Sequence, residues 1–259
     1  MTTTTRFTLF ALTLCTASAA WADALGDDPF ADSTPASSTP EPTRKSERSL
    51  LRPRGTVALG AVGSADVMDI TEATGAAIID GAGGLGATVG IASFVDLGIR
   101  ASAASWGYLA VSGGPCFGGG GPSLDFTLCG TVGGRATGGD GFLTLLADAS
   151  ARLHLGASLA IDVTGAAGLH YEAPLFSASA SLLFAPSDNV WVSGAGDVQS
   201  VDGDVTPSGT LGGGYVVATG EGSHVDLGAT VDVSVYDFRG KSLLALTAQL
   251  SARVAFQAF

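Results

Sequence analysis

The residues from Thr56 onward alternate between apolar and polar with a period of two, over runs too long for ordinary strands. In one run Leu143, Leu145, Ala147, Ala149, Ala151, Leu153 and Leu155 share a face, while Thr144, Leu146, Asp148, Ser150, Arg152 and His154 occupy the other, mostly polar one. Residues 224–236 repeat the pattern, with Val225, Leu227, Ala229, Val231, Val233 and Val235 set against His224, Asp226, Thr230, Asp232 and Ser234. Successive side chains of a strand point to opposite faces, so each run faces two different solvents. Globular strands usually run about 5–6 residues and tilted transmembrane strands about 9–11, so the length points to a bilayer.

Composition agrees. Charged residues are 14% of the chain and hydrophobic ones 46%, yet no apolar run approaches a spanning helix. Inside a bilayer every backbone polar group needs a partner, and without helices only a closed barrel provides one. Turn signals divide the chain into strands near 55–65, 83–91, 94–104, 108–117, 123–135, 142–154, 157–169, 174–184, 189–198, 208–218, 223–236 and 244–258. The expected fold is therefore all-β: a closed, antiparallel, up-and-down transmembrane β-barrel of about twelve strands, with ten as the alternative count. A soluble β-sandwich is the competing architecture, since it too alternates but packs its apolar faces against each other. The connections 66–82 and 199–207 read as longer acidic loops at one end. Trp106, Tyr108, Tyr171, Tyr236 and Phe238 fall at that end, and Phe94, Phe117, Phe184, Trp191 and Phe256 at the other, as two interfacial girdles would.

Three segments precede or compose this domain. Residues 1–22 read as a signal peptide: Arg6, a short apolar core from Phe7 to Leu14, and small residues up to Ala22. Leu14 before Cys15 departs from a lipoprotein signal. Residues 23–54 carry five prolines among Ser, Thr and charged residues and read as a disordered tether, because they bury too little apolar surface to offset ordering. Its basic cluster Arg44, Lys45, Arg48, Arg52 and Arg54 reads as solvated, with anionic lipid or peptidoglycan as the other contact. The barrel takes 55–259.

The C-terminal run from Leu244 to Phe259 resembles the closing strand of Gram-negative outer-membrane proteins. That resemblance, one of pattern across 55–259, implies a bacterial outer-membrane location with lipid and lipopolysaccharide as surroundings. It also implies insertion by the barrel-assembly machinery, with Val254, Phe256 and Phe259 as the assembly signal. Phe259 is out of phase with Val254 and Leu250, which makes Phe256 the in-register aromatic.

The net charge of −12 falls wholly beyond residue 54, where eighteen acids face six bases. Such a domain does not attract nucleic acid, whose binding rests on phosphate neutralisation. The inward phase carries Asp96, Arg100, Asp125, Arg135, Asp148, Arg152, Asp162, Asp197, Asp226, Asp232 and Arg253, the expected lumen lining. An acidic, small-residue lumen suggests a narrow, weakly cation-preferring pore; paired charges would instead make a structural or interaction barrel of the OmpA or OmpX type. Cys116 and Cys129 fall on the inward phase of adjacent strands, and in an exported chain a disulfide is expected over a metal pair. Gly81–Gly86 matches a dinucleotide fingerprint literally but precedes a strand, so it reads as a glycine-rich turn. A histidine–serine–acid set built on His154, His170 or His224 would make a barrel lipid hydrolase, but Ser234 is too far along its strand from His224 to serve. Asp202 and Asp204 read as a solvated acidic loop, with calcium as the other reading. The expected chain has no cofactor, no metal and no enzymatic activity.

Overall fold

A computed structural model describes residues 41–69, 77–105, 107–137, 140–170, 173–220, 222–238 and 241–258. Twelve strands run among them. They are β1 Thr56–Asp69, β2 Ala77–Ala92, β3 Val95–Ala104, β4 Tyr108–Gly120, β5 Leu124–Thr137 and β6 Asp140–His154. Then follow β7 Leu159–His170, β8 Ala173–Phe184, β9 Val190–Val201, β10 Asp204–Gly220, β11 Ser223–Phe238 and β12 Lys241–Gln257. Each pairs antiparallel with its sequence neighbours, and β1 pairs with β12 from Thr56↔Gln257 to Met68↔Ala245, closing the barrel. Closure removes both sheet edges, so no ladder is left unpaired.

The side-chain period sorts the two faces. Leu97, Ile99, Leu128, Leu143, Leu211 and Leu250 stand exposed on the outer wall, Leu211 at 73%. Their in-between neighbours Asp96, Thr127, Thr210 and Gln249 are buried on the inner wall. A soluble sandwich would bury the leucine rows, so that architecture is excluded. No helix among the described residues is long and apolar enough to cross a membrane.

We call the end holding Gly55 and Gln257 proximal and the other end distal. The strands reach further distally than turn signals suggested. Val67 pairs with Ile79 and Asp66 with Asp80, inside the expected loop 66–82. Both apolar partners are exposed on the outer wall, which is the alternation simply continuing. The expected loop 199–207 shrinks to Asp202-Gly203, whose φ values of 52° and 90° make a tight two-residue hairpin turn. Asp204 already belongs to β10, so the acidic loop does not exist. Gly81–Gly86 is likewise not a turn: it lies within β2, paired to β1 on one side.

The largest departure concerns the tether. Residues 1–40, including the expected signal segment and Cys15, lie outside the described residues, as do Trp106, Tyr171 and Phe259. Residues 41–54 do not behave as a solvated linker. They cross the interior of the proximal mouth, with one 3-10 turn at Lys45–Glu47. Lys45, Ser46, Arg48, Leu51 and Arg52 are buried there. A segment without a core of its own found partners for its charges inside the barrel.

Candidate functional site at the proximal mouth

The crossing segment touches the wall on nearly every side, which only a chain spanning the lumen can do. Arg44 pairs with Asp188 in the β8–β9 turn at 2.8 Å. The Ser46 hydroxyl donates to the Ala157 carbonyl in the β6–β7 turn at 2.5 Å. Arg48 grips Asp226 of β11 through Nη1–Oδ2 at 2.5 Å and Nη2–Oδ1 at 3.0 Å. Leu51 packs on the Cys116–Cys129 disulfide, which joins directly opposed residues of β4 and β5. The Arg52 backbone N–H donates to Asp96 Oδ2 of β3 at 2.8 Å. The segment then leaves over Gly90 of β2, where a β-carbon would collide with the Pro53 carbonyl, and enters β1. Glycine is required at that crossing.

Wall side chains complete the cage. The Arg152 guanidinium makes two contacts with Asp162, at 2.7 and 2.9 Å, and reaches the Arg48 carbonyl at 2.8 Å. The His154 ring donates from Nε2 to Asp125 at 2.8 Å and from Nδ1 to the Ser46 carbonyl at 2.9 Å, an arrangement that the doubly protonated ring satisfies at both nitrogens. Arg253 binds Glu41 at 3.0 Å and approaches Asp226 at 3.4 Å. Burial by itself would raise the Glu41 carboxyl, but Arg253, Arg52 and Arg48 outweigh it and hold the group at about 2. Taking these charges out of water is costly, so each is met by an opposite charge or a hydrogen-bonding group.

Lys45 provides the remaining anchor. Its ammonium lies 3.5 Å from the centre of the Trp191 ring, and that ring rests inside the barrel against Gly214 and Gly228. Trp191 is therefore not an interfacial girdle residue, because its neighbours Val190 and Val192 take the outward phase. Tyr236 is also buried on the inner wall, and Tyr108 stacks inside under Arg135 at 4.5 Å. Phe94, Phe117 and Phe184 are exposed on the outside.

Above the crossing segment, the inner wall turns acidic. Register aligns Asp80 with Asp66, Asp66 with Thr247, Thr247 with Asp232, and Asp232 with Thr210, a single row across β2, β1, β12, β11 and β10. Thr247 donates to Asp66 at 2.6 Å, Thr210 and Ser234 to Asp232, and Ser208 to Asp197 at 2.5 Å. Hydroxyls thus serve carboxylates that the sequence leaves adjacent. Arg100, Asp148 and Arg135 lie on the inner phase of β3, β6 and β5. Among the described residues no group of three or more His, Cys, Asp or Glu is arranged to hold a metal.

Of the residues singled out from sequence, Asp96, Asp125, Arg152, Asp162, Asp226 and Arg253 meet at the proximal mouth, and Asp197 and Asp232 join the acidic wall. Val254 is exposed on the outside of β12 and Phe256 is half-buried. His224 stands 3.7 Å from Asp226 and 3.8 Å from Glu41, among charged partners. Sequence reasoning missed Glu41, Lys45, Ser46, Arg48, Leu51 and Arg52 as interior groups. The signal was present: five bases against the single acid Glu47 crowd into 44–54 beside Leu50 and Leu51, in a chain with eighteen of its acids beyond residue 54.

No protein-family profile and no curated protein matches the chain. Solved structures do. The chain is similar to the KdgM porin, with a TM-score of 0.52 at 6% identity over 74% of this chain and 97% of that one. The KdgM porin in complex with disordered oligogalacturonate matches with a TM-score of 0.53 at 8% identity, over 76% and 99%. A Pseudomonas aeruginosa FadL homologue matches at 0.51 and 7% identity, over 80% and 91%. At such identities the likeness is one of fold: the chain is a closed antiparallel β-barrel similar in fold to those porins.

Proposed function

We propose that the chain is a narrow, weakly cation-preferring channel of the bacterial outer membrane, held shut at its proximal mouth by residues 41–54. Lipid and lipopolysaccharide surround the apolar wall, and the barrel-assembly machinery inserts it through the β12 pattern ending at Phe256. The observation that carries the pore reading is the row Asp80, Asp66, Thr247, Asp232 and Thr210 on the inner wall. A stability core has no use for adjacent carboxylates, whereas a water-filled path does, and its sign favours cations. Asp66→Asn combined with Asp232→Asn, made in a background of Arg48→Ala and Lys45→Ala, tests it in planar bilayers. The background should conduct with a cation-selective reversal potential in a salt gradient, and the acidic-row changes should move that potential toward zero. A silent background variant would favour the second reading, a structural barrel whose filled mouth is permanent.

A further inference from the structure

Arg48 is held the way a bound ligand is held. Its Nη1 and Nη2 meet both oxygens of Asp226, Nη2 also donates to the Thr43 carbonyl at 2.8 Å, and Nε donates to the Pro42 carbonyl at 3.0 Å. The side chain is fully buried. Four directed contacts fit a guanidinium, whose fork matches a carboxylate two-point; an ammonium offers a single point of charge.

The wall itself explains why a cation from elsewhere is needed. Asp125 is served by His154 and Asp162 by Arg152, all residues of the barrel. Asp226 is served less well from the wall, since Arg253 stands 3.4 Å away and makes its shorter contact with Glu41. Asp96, fully buried on β3, accepts a hydrogen bond from the Arg52 backbone N–H of the crossing segment. The mouth therefore carries two carboxylates whose best partners arrive on a chain segment that is not part of the barrel wall.

We propose that Asp226 is the recognition site of the mouth for guanidinium-bearing solutes, and that Arg48 occupies it as a tethered stand-in. The inference rests on the channel reading for its use, and it names the solute class that reading leaves open. A basic solute entering here meets a carboxylate already set to receive its head group two-point.

The test vacates the site in the full-length protein. Arg48→Ala, refolded in detergent, should bind n-propylguanidinium saturably in a calorimeter. It should do so roughly tenfold more tightly than n-propylammonium, as a two-point fork exceeds a point charge. Adding Asp226→Asn should abolish the binding. Compact migration of the unboiled protein on a gel reports that each variant has folded, and Arg48→Gln replaces Arg48→Ala if the latter does not. Equal affinity for the two cations, or binding that survives Asp226→Asn, overturns the proposal. Block of the Arg48→Ala channel by the same concentrations of n-propylguanidinium supports it. Intact, Asp226-dependent binding in a variant that never conducts upholds the site and overturns the channel reading instead.

Discussion

Lys45 Nζ lies 3.5 Å from the centre of the Trp191 ring, and the same ring rests on two residues that have no side chain, Gly214 and Gly228. The three strands β9, β10 and β11 thus form a shallow seat for an indole, and the indole forms a seat for a cation. A desolvated cation–π contact of this kind contributes about 2 kcal/mol. Lys45→Ala should therefore loosen the crossing segment without disturbing the barrel. Limited proteolysis should cut near residues 44–52 faster in the variant, with the heat stability of the barrel unchanged.

Gly214 predicts the opposite pattern. A β-carbon there would stand 2.7 Å from the Trp191 ring and would also strike the Leu227 carbonyl, which is backbone and cannot yield. Gly214→Ala should destabilise the barrel itself by about 1–3 kcal/mol. The temperature at which the folded band disappears on a gel should fall, and Trp191 fluorescence should shift as the ring is displaced.

Acid should release the crossing segment through Glu41. Its carboxyl sits at about 2 when docked, below the ordinary value of 4.5. A depressed pKa means that docking is fully favoured above about 4.5 and is lost as pH falls toward 2. Open probability, or protease sensitivity at residues 44–52, should rise across that interval. Glu41→Gln should remove most of the dependence and leave the segment loosened at neutral pH, because Arg253 then loses its 3.0 Å partner.

The Cys116–Cys129 bridge closes a hairpin with a sequence separation of 13 and lies beneath Leu51. Removing it as Cys116→Ser with Cys129→Ser should cost about 3 kcal/mol by the loop-entropy account. Burial shields it, so a reductant should leave the folded protein unalkylated by a thiol reagent. Labelling should appear only after unfolding.

The strand pattern was legible because period-two alternation survives in a single sequence, and register then follows from which face must be apolar. Twelve strands emerged from it, with limits off by a few residues where Val67 and Ile79 continue the outer row past an acidic stretch. Phase also separates Trp191 from Val190 and Val192. Reading aromatics by height along the barrel, as a girdle, ignored that phase and misplaced Trp191, Tyr236 and Tyr108. The mouth was harder. Arg48 meets Asp226 across 178 residues and Arg253 meets Glu41 across 212, and no local pattern encodes such a pairing. Composition was misleading as well: proline, serine and charge mark a segment unable to fold by itself, and say nothing about a cavity whose charges complement it.

The crossing segment runs straight into the wall: the Gly55 N–H bonds the Gly90 carbonyl at 2.8 Å, and β1 begins at the next residue. Whatever dislodges Arg48 therefore cannot carry it away. The displaced arm stays within a few residues' reach of its seat, at an effective concentration in the millimolar range or above for so short a leash. Return to the docked state is then a unimolecular event whose speed is indifferent to protein concentration, and any solute that competes for the seat must do so against a rival that never diffuses off.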